Sequence, residues 1–163
     1  MRREITVSII IFFLIISLVV GIIILALVLL KPSQTMAKLR DQQRLADVSK
    51  IQTALQLYLA DGRNFDELSN AQIYSSLNGA TNTRGQGWVP LDFLLTSGDP
   101  FNGLPIDPLN DSVYHYEVAV NVSNKTFEID CHLEDVQNQA RMANDQGNNK
   151  MVYEVGDDLS ILK

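Results

Sequence analysis

From Ile5 to Leu30 the chain carries no charged side chain, and Thr6, Ser8, Ser17 and Gly21 alone interrupt a surface of Ile, Leu, Val, Phe and Ala. As a helix rising about 1.5 Å per residue, such a run reaches roughly 39 Å, against a hydrocarbon core of about 30 Å. A helix laid on a water-soluble core shows a polar face, and this one has none. The run predicts a transmembrane anchor over residues 1–31. A cleaved secretory signal would share the positive start at Arg2 and Arg3, but its apolar stretch is about half as long. The exit, Ala26-Leu27-Val28-Leu29-Leu30-Lys31, also lacks two small residues at cleavage spacing.

Flanking charge alone does not orient this anchor. Arg2, Arg3 and the amino terminus stand against Glu4 on one side, and Lys31, Lys38, Arg40 and Arg44 lie on the other. Of 19 acidic and 13 basic side chains, only Glu4, Arg2 and Arg3 precede Lys31, so everything beyond the anchor is acidic. A short tail before a long first apolar segment behaves as a signal anchor. The expected topology is therefore single-pass, with the N-terminus cytoplasmic and the C-terminal domain extracytoplasmic or at the cell surface. No Lys/Arg cluster exists to neutralise phosphates, which argues against a nucleic-acid partner. Cys131 is the only cysteine, so no internal disulfide can form and a buried thiol is expected.

Beyond the membrane exit, Pro32 removes a backbone donor and crowds the preceding turn. From about Thr35 to Ala60 a helical period returns: Leu45, Val48, Ile51, Leu55, Tyr58 and Leu59 lie along one stripe, with Lys38, Arg40, Asp41, Gln42, Gln43, Asp47 and Lys50 largely off it. Residues 32–62 thus read as an amphipathic continuation of the N-terminal helix, closed by Asp61-Gly62. A short helix is expected around Glu67 to Leu77, and a helical turn or two starting at Pro90. Val113 to Val120 and Thr126 to Leu133 alternate as strands, joined by a turn at Asn121 to Lys125. In the first, Tyr114, Tyr116, Val118 and Val120 share a face. In the second, Phe127, Ile129, Cys131 and Leu133 oppose Thr126, Glu128, Asp130 and His132. A short helix over Glu134 to Met142 and a strand over Met151 to Val155 follow. The pattern predicts an α+β fold: residues 63–163 form one domain with 32–62, and the Leu45-to-Leu59 stripe packs on a small antiparallel sheet of three to four strands. With one apolar and one polar face, that sheet is expected to be covered on one side only.

Three segments carry a family likeness. They are Leu45-Ala46-Asp47-Val48-Ser49-Lys50-Ile51 through Tyr58-Leu59-Ala60-Asp61-Gly62, then Trp88-Val89-Pro90 through Asp99-Pro100 to Leu104-Pro105-Ile106-Asp107-Pro108, and Tyr153-Glu154-Val155-Gly156-Asp157-Asp158-Leu159. In this order they resemble the type IV pilins and the major pseudopilins of type II secretion. The resemblance implies a pilin-like fold and a structural role in a pilus-like or pseudopilus assembly. It also implies contacts with the lipid bilayer and with copies of the chain or other pilin-like subunits, made through the N-terminal helix. Glu4, Ile9, Phe12, Phe13, Leu18, Gly21 and Pro32 would serve those contacts. The family places a glycine before its membrane segment and a glutamate within it. Here Met1-Arg2-Arg3-Glu4-Ile5-Thr6-Val7 has neither, although Glu4 stands at the boundary. The alternative function is a permanently anchored extracytoplasmic binding module of the same fold that does not polymerise.

No catalytic constellation stands out, and an enzyme is not expected. There is no nucleophile elbow, phosphate-cradling glycine loop or metal-binding histidine pair, and no small-molecule substrate is evident. No cofactor is implied beyond calcium, which takes converging oxygen ligands. Its candidates are Asp99, Asp107, Asn110 and Asp111 in the proline loop, and Asp157 and Asp158 after the last strand. Major pseudopilins commonly carry a calcium loop there, and with Lys163 so close behind it a shortened one is expected. Neither cluster has the spacing of a defined calcium loop. His115 and His132 flank no further His or Cys ligands, and alternation sends Cys131 and His132 to opposite faces. Trp88, Phe93 and Tyr58 read as core. Asn110, Asn121 and Asn124 each begin a glycosylation acceptor triplet.

Overall fold

The computed structural model describes residues 2–30, 32–97 and 101–162. Two compact units divide the chain, Met1–Ala37 and Lys38–Lys163. The first contains helix α1 (Arg2–Leu30) and the opening residues of helix α2 (Pro32–Ala60). α1 is long and apolar enough to cross a membrane. Every side chain from Ile11 to Val28 is exposed.

The second unit is α+β. Strands β1 (Tyr74–Ser75), β2 (Tyr116–Asn121), β3 (Thr126–Cys131) and β4 (Tyr153–Gly156) form one antiparallel sheet in the order β1-β2-β3-β4. The β2–β3 hairpin is the centre of this meander. Asn121 pairs with Thr126 and Tyr116 with Cys131, and Lys125 takes a positive φ in the loop between the strands. Tyr114 lies outside β2, half-buried.

α2 supplies the other half of the core. Val48, Ile51, Ala54, Leu55 and Tyr58 are buried in one cluster with Tyr116, Val118, Phe127, Ile129 and Cys131, while Leu45 and Leu59 pack at its edge. Phe65 and Phe93 fill the end near Tyr58, with the Tyr58 and Phe65 rings stacked at 6.3 Å. α2 ends where Gly62, at φ 80°, lets Gly62 N–H reach the Leu59 carbonyl and Arg63 N–H the Tyr58 carbonyl. That is the Schellman pattern, which needs a left-handed residue at this point.

One local expectation fails and two are met in part. The segment from Glu67 to Leu77 is turns and the short β1 rather than a helix. There Ala71 adopts a φ of 54° and gives its N–H to the Val120 carbonyl, and Asn70 accepts from Val122 N–H. The turn expected at Pro90 begins later, as a 3-10 turn over Phe93–Leu95 capped by the Asp92 carboxylate. The helix expected over Glu134 to Met142 opens as a 3-10 turn (Val136–Asn138) and becomes α3 (Gln139–Ala143).

The sheet is also covered on both sides. Glu128 and Asp130, expected in solvent, are buried together with Ala119 and Glu154. The N–H groups of Asn148 and Asn149 reach Glu154, those of Ile161 and Leu162 reach Glu128, and Val152 and Leu162 are buried with them. Asp157 N–H anchors the segment after β4 on the Phe127 carbonyl.

Candidate functional site

α1 is the largest uncovered apolar surface among the described residues. Phe12, Phe13 and Leu18 are each more than half exposed, and a side chain at Gly21 would meet nothing within 4 Å. Pro32 begins α2 and is exposed. The side chains of Glu4 and Ile9 lie outside the described ones. An apolar surface this large requires lipid or protein to cover it.

A buried charged collar ties α2 to the rest of its unit. The α2 stripe does not stop at Val48. Asp41 and Arg44 extend it by further turns of three and four residues, and with Asp47 they are buried. Arg44 Nε donates to Asp107 Oδ2 at 2.5 Å and Nη2 to Asp107 Oδ1 at 3.0 Å. Its Nη1 donates to Asp41 Oδ1 at 2.9 Å and to Glu134 Oε1 at 2.5 Å. The Tyr114 ring covers the guanidinium 4.5 Å away. Burial alone would lower the Arg44 pKa, but the carboxylates of Asp107, Glu134 and Asp41 more than reverse this, and the group is firmly charged.

The collar's acids are equally occupied. Asp41 also accepts from the N–H groups of Glu134 and Asp135 and from Asn138 Nδ2, at 2.7 to 2.9 Å. Arg40 forks onto Glu134 at 2.7 and 2.6 Å. The hydrogen bond from Arg40 is the main cause holding the Glu134 carboxyl below its usual range, and Arg44 adds to it against the opposing effect of burial. Asp47 accepts from Tyr116 Oη at 3.1 Å, and burial with that neighbouring charge pushes the Tyr116 pKa up. The collar is a fixed structural clasp with its donors and acceptors matched.

Among the described residues, the proline-loop calcium candidates do not converge. Asp107 is buried and spent on Arg44, Leu109 N–H and Asn110 N–H. Asp111 is exposed and caps the turn at Val113 and Tyr114, whose N–H groups lower its pKa. Asn110 accepts from Ser76 Oγ, and Asp99 lies outside the described residues. Asp158 is taken up by Ser160, and Asp157 is exposed beside it. His115 faces Glu117 at 3.1 Å, and His132 stands edge-on to Tyr114. Trp88 is core, its Nε1 donating to the Pro105 carbonyl at 2.9 Å.

Sequence reasoning placed Asp41 and Asp47 off the apolar stripe and counted Arg40 and Arg44 as flanking charge. The signal that would have found the collar is the spacing 41–44–48–51–55–58, which keeps the helical period while the residue type changes. Comparison of the chain with family models, with curated proteins and with solved structures finds no match.

Proposed function

We propose that this chain is a membrane-anchored structural subunit of pilin-like fold, serving a type IV pilus-like or type II secretion pseudopilus assembly. The observation that carries this reading is α1, apolar on every side and uncovered by protein from Ile11 to Val28. A helix of that kind is stable in lipid or against other helices, and small and aromatic residues along it suit helix–helix packing. A domain built on a helical spine and a four-stranded antiparallel meander accords with the resemblance of its three marked segments.

The collar bears on topology. Arg40 and Arg44 are matched by Glu134, Asp107 and Asp41 inside the fold, so they offer little positive charge to hold that flank in the cytoplasm. Lys31 and Lys38 remain against Arg2, Arg3 and the amino terminus. This supports an N-terminus inside and an acidic domain outside.

The test is disulfide or bismaleimide crosslinking in native membranes of variants with one added cysteine, at Phe12, Val19 or Leu25. The expected result is dimers and higher ladders whose yield varies with helical period. Monomers alone at all three positions would overturn the assembly reading and leave a solitary anchored domain.

A further inference from the structure

The sheet face turned away from α2 gathers three acids that meet no basic side chain in an ion pair among the described residues. Glu128 and Asp130 on β3 and Glu154 on β4 are 0%, 7% and 1% exposed. Asp130 and Glu154 are opposite each other in the register, with Glu128 one side chain further along the same face. Each offers an oxygen within 4.8 Å of the other two.

Main-chain donors fix part of this group. Ile161 and Leu162 N–H donate to Glu128 Oε2 at 2.7 and 2.6 Å, and Asn148 and Asn149 N–H to the two oxygens of Glu154 at 3.1 and 2.9 Å. Glu128 Oε1 and Asp130 Oδ1 are buried without any hydrogen-bond partner among the described residues. None of the three acids joins an ion pair there. A buried carboxylate with no positive charge paired to it is disfavoured until a proton or a cation offsets its charge.

We propose that Glu128, Asp130 and Glu154 bind a hard divalent cation, calcium in preference to magnesium. Their oxygens lie within 4.8 Å of one another, and three carboxylates in an irregular arrangement suit calcium, whereas magnesium keeps several waters and takes one or two carboxylates. The two unpartnered oxygens and Glu154 supply three ligands, and water completes the shell. Glu154 borders an open groove shared with Asp145, Asp157 and Asp158, an acidic approach for a cation. Asp130 borders a separate cavity of about 180 Å³ with Glu117 and His132 on its wall, room for the bound waters.

The charged groups around the cluster all bear in one direction. Burial first, then the charges of Glu128, Glu154, Glu117 and Asp145, push the Asp130 carboxyl up to about 8. Burial pushes Glu128 up to about 7, with Leu162 N–H pulling it down and the Glu154 carboxyl pushing it further up. Burial holds His132 below its ordinary value, so it brings no compensating charge at neutral pH.

The experiment is thermal unfolding of the full chain in detergent micelles, stripped with chelator and then titrated with calcium chloride, magnesium chloride or sodium chloride at matched ionic strength. Calcium tenfold above a millimolar-range Kd is expected to raise Tm by about 4–8 °C. Magnesium is expected to do less, and sodium nothing specific. The double variant Glu128→Gln, Asp130→Asn keeps acceptors for Ile161 and Leu162 and removes like charge. It should be at least as stable as the parent in chelator at pH 8 and insensitive to calcium. No calcium-dependent shift in the parent, an equal shift with sodium, or a shift that persists in the double variant each overturns the proposal. A double variant that fails to fold is replaced by Asp130→Asn alone, read by the same loss of calcium response.

Discussion

Arg44 and Asp107, 63 residues apart in the chain, meet in a two-pronged ion pair with both side chains fully buried. The pair fixes the proline-rich loop against α2. It is also the point at which Asp41 and Glu134 join, so one guanidinium answers three carboxylates.

Arg44→Met should destabilise the domain by about 3–5 kcal/mol, because it leaves buried acids without their partner. Arg44→Lys should recover only part of the loss, since a single ammonium cannot fork onto Asp107 while serving Glu134 and Asp41. Chemical denaturation followed by far-ultraviolet circular dichroism of the two variants measures both numbers.

Stability in the absence of divalent cations should fall as pH rises. Glu128 and Asp130 have folded-state pKa values raised to about 7 and about 8, against unfolded values of about 4. The folded protein binds their protons more tightly, so their contribution is complete below about pH 4 and is lost as pH climbs to about 8. Glu134, held low by Arg40 and Arg44, has the opposite sign and loses its contribution as pH falls below about 4. Tm in chelator should therefore peak near pH 5, and Glu128→Gln with Asp130→Asn should flatten the alkaline side.

Leu55→Ala should cost about 2–5 kcal/mol, because Leu55 is completely buried between α2 and the sheet. Leu39→Ala, on the same helix but 55% exposed, should change stability by less than about 0.5 kcal/mol. Guanidinium midpoints of the two variants separate the packed side of α2 from its open side.

The Cys131 thiol should resist thiol reagents in the native protein and react in full after denaturation. It is 1% exposed, and burial pushes its pKa up, so thiolate is scarce as well as inaccessible. Timed labelling with a maleimide dye, read by intact mass, tests this. The same result would keep Cys131 out of crosslinks placed on α1.

What could be read from the residues alone were the features whose signal is local. The uncharged run of α1, the period from Val48 to Tyr58, the glycine stop at Gly62 and the alternation of Phe127, Ile129 and Cys131 each state a structure within a few residues. β1 could not be read this way, because two residues become a strand only by pairing Tyr74 and Ser75 with Val118 and Glu117. The polar alternation of Glu128 and Asp130 was read as solvent for a physical reason. A covering segment that presents main-chain N–H groups, as Ile161 and Leu162 do, suits a carboxylate as well as water does. The collar was hidden by composition, since an arginine and two aspartates on a helix read as surface until their partners arrive from Asp107 and Glu134.

The position of the collar along α2 sets how the domain bears load. A pull applied to α2 from its N-terminal end reaches Asp41 and Arg44 before it reaches Ile51 and Leu55. Arg44 grips Asp107 and Glu134 through several short bonds that would have to break together, whereas apolar contacts give way gradually as a helix slides. The collar is thus the clasp that meets tension first, shielding the aromatic end of the core around Tyr58 from it.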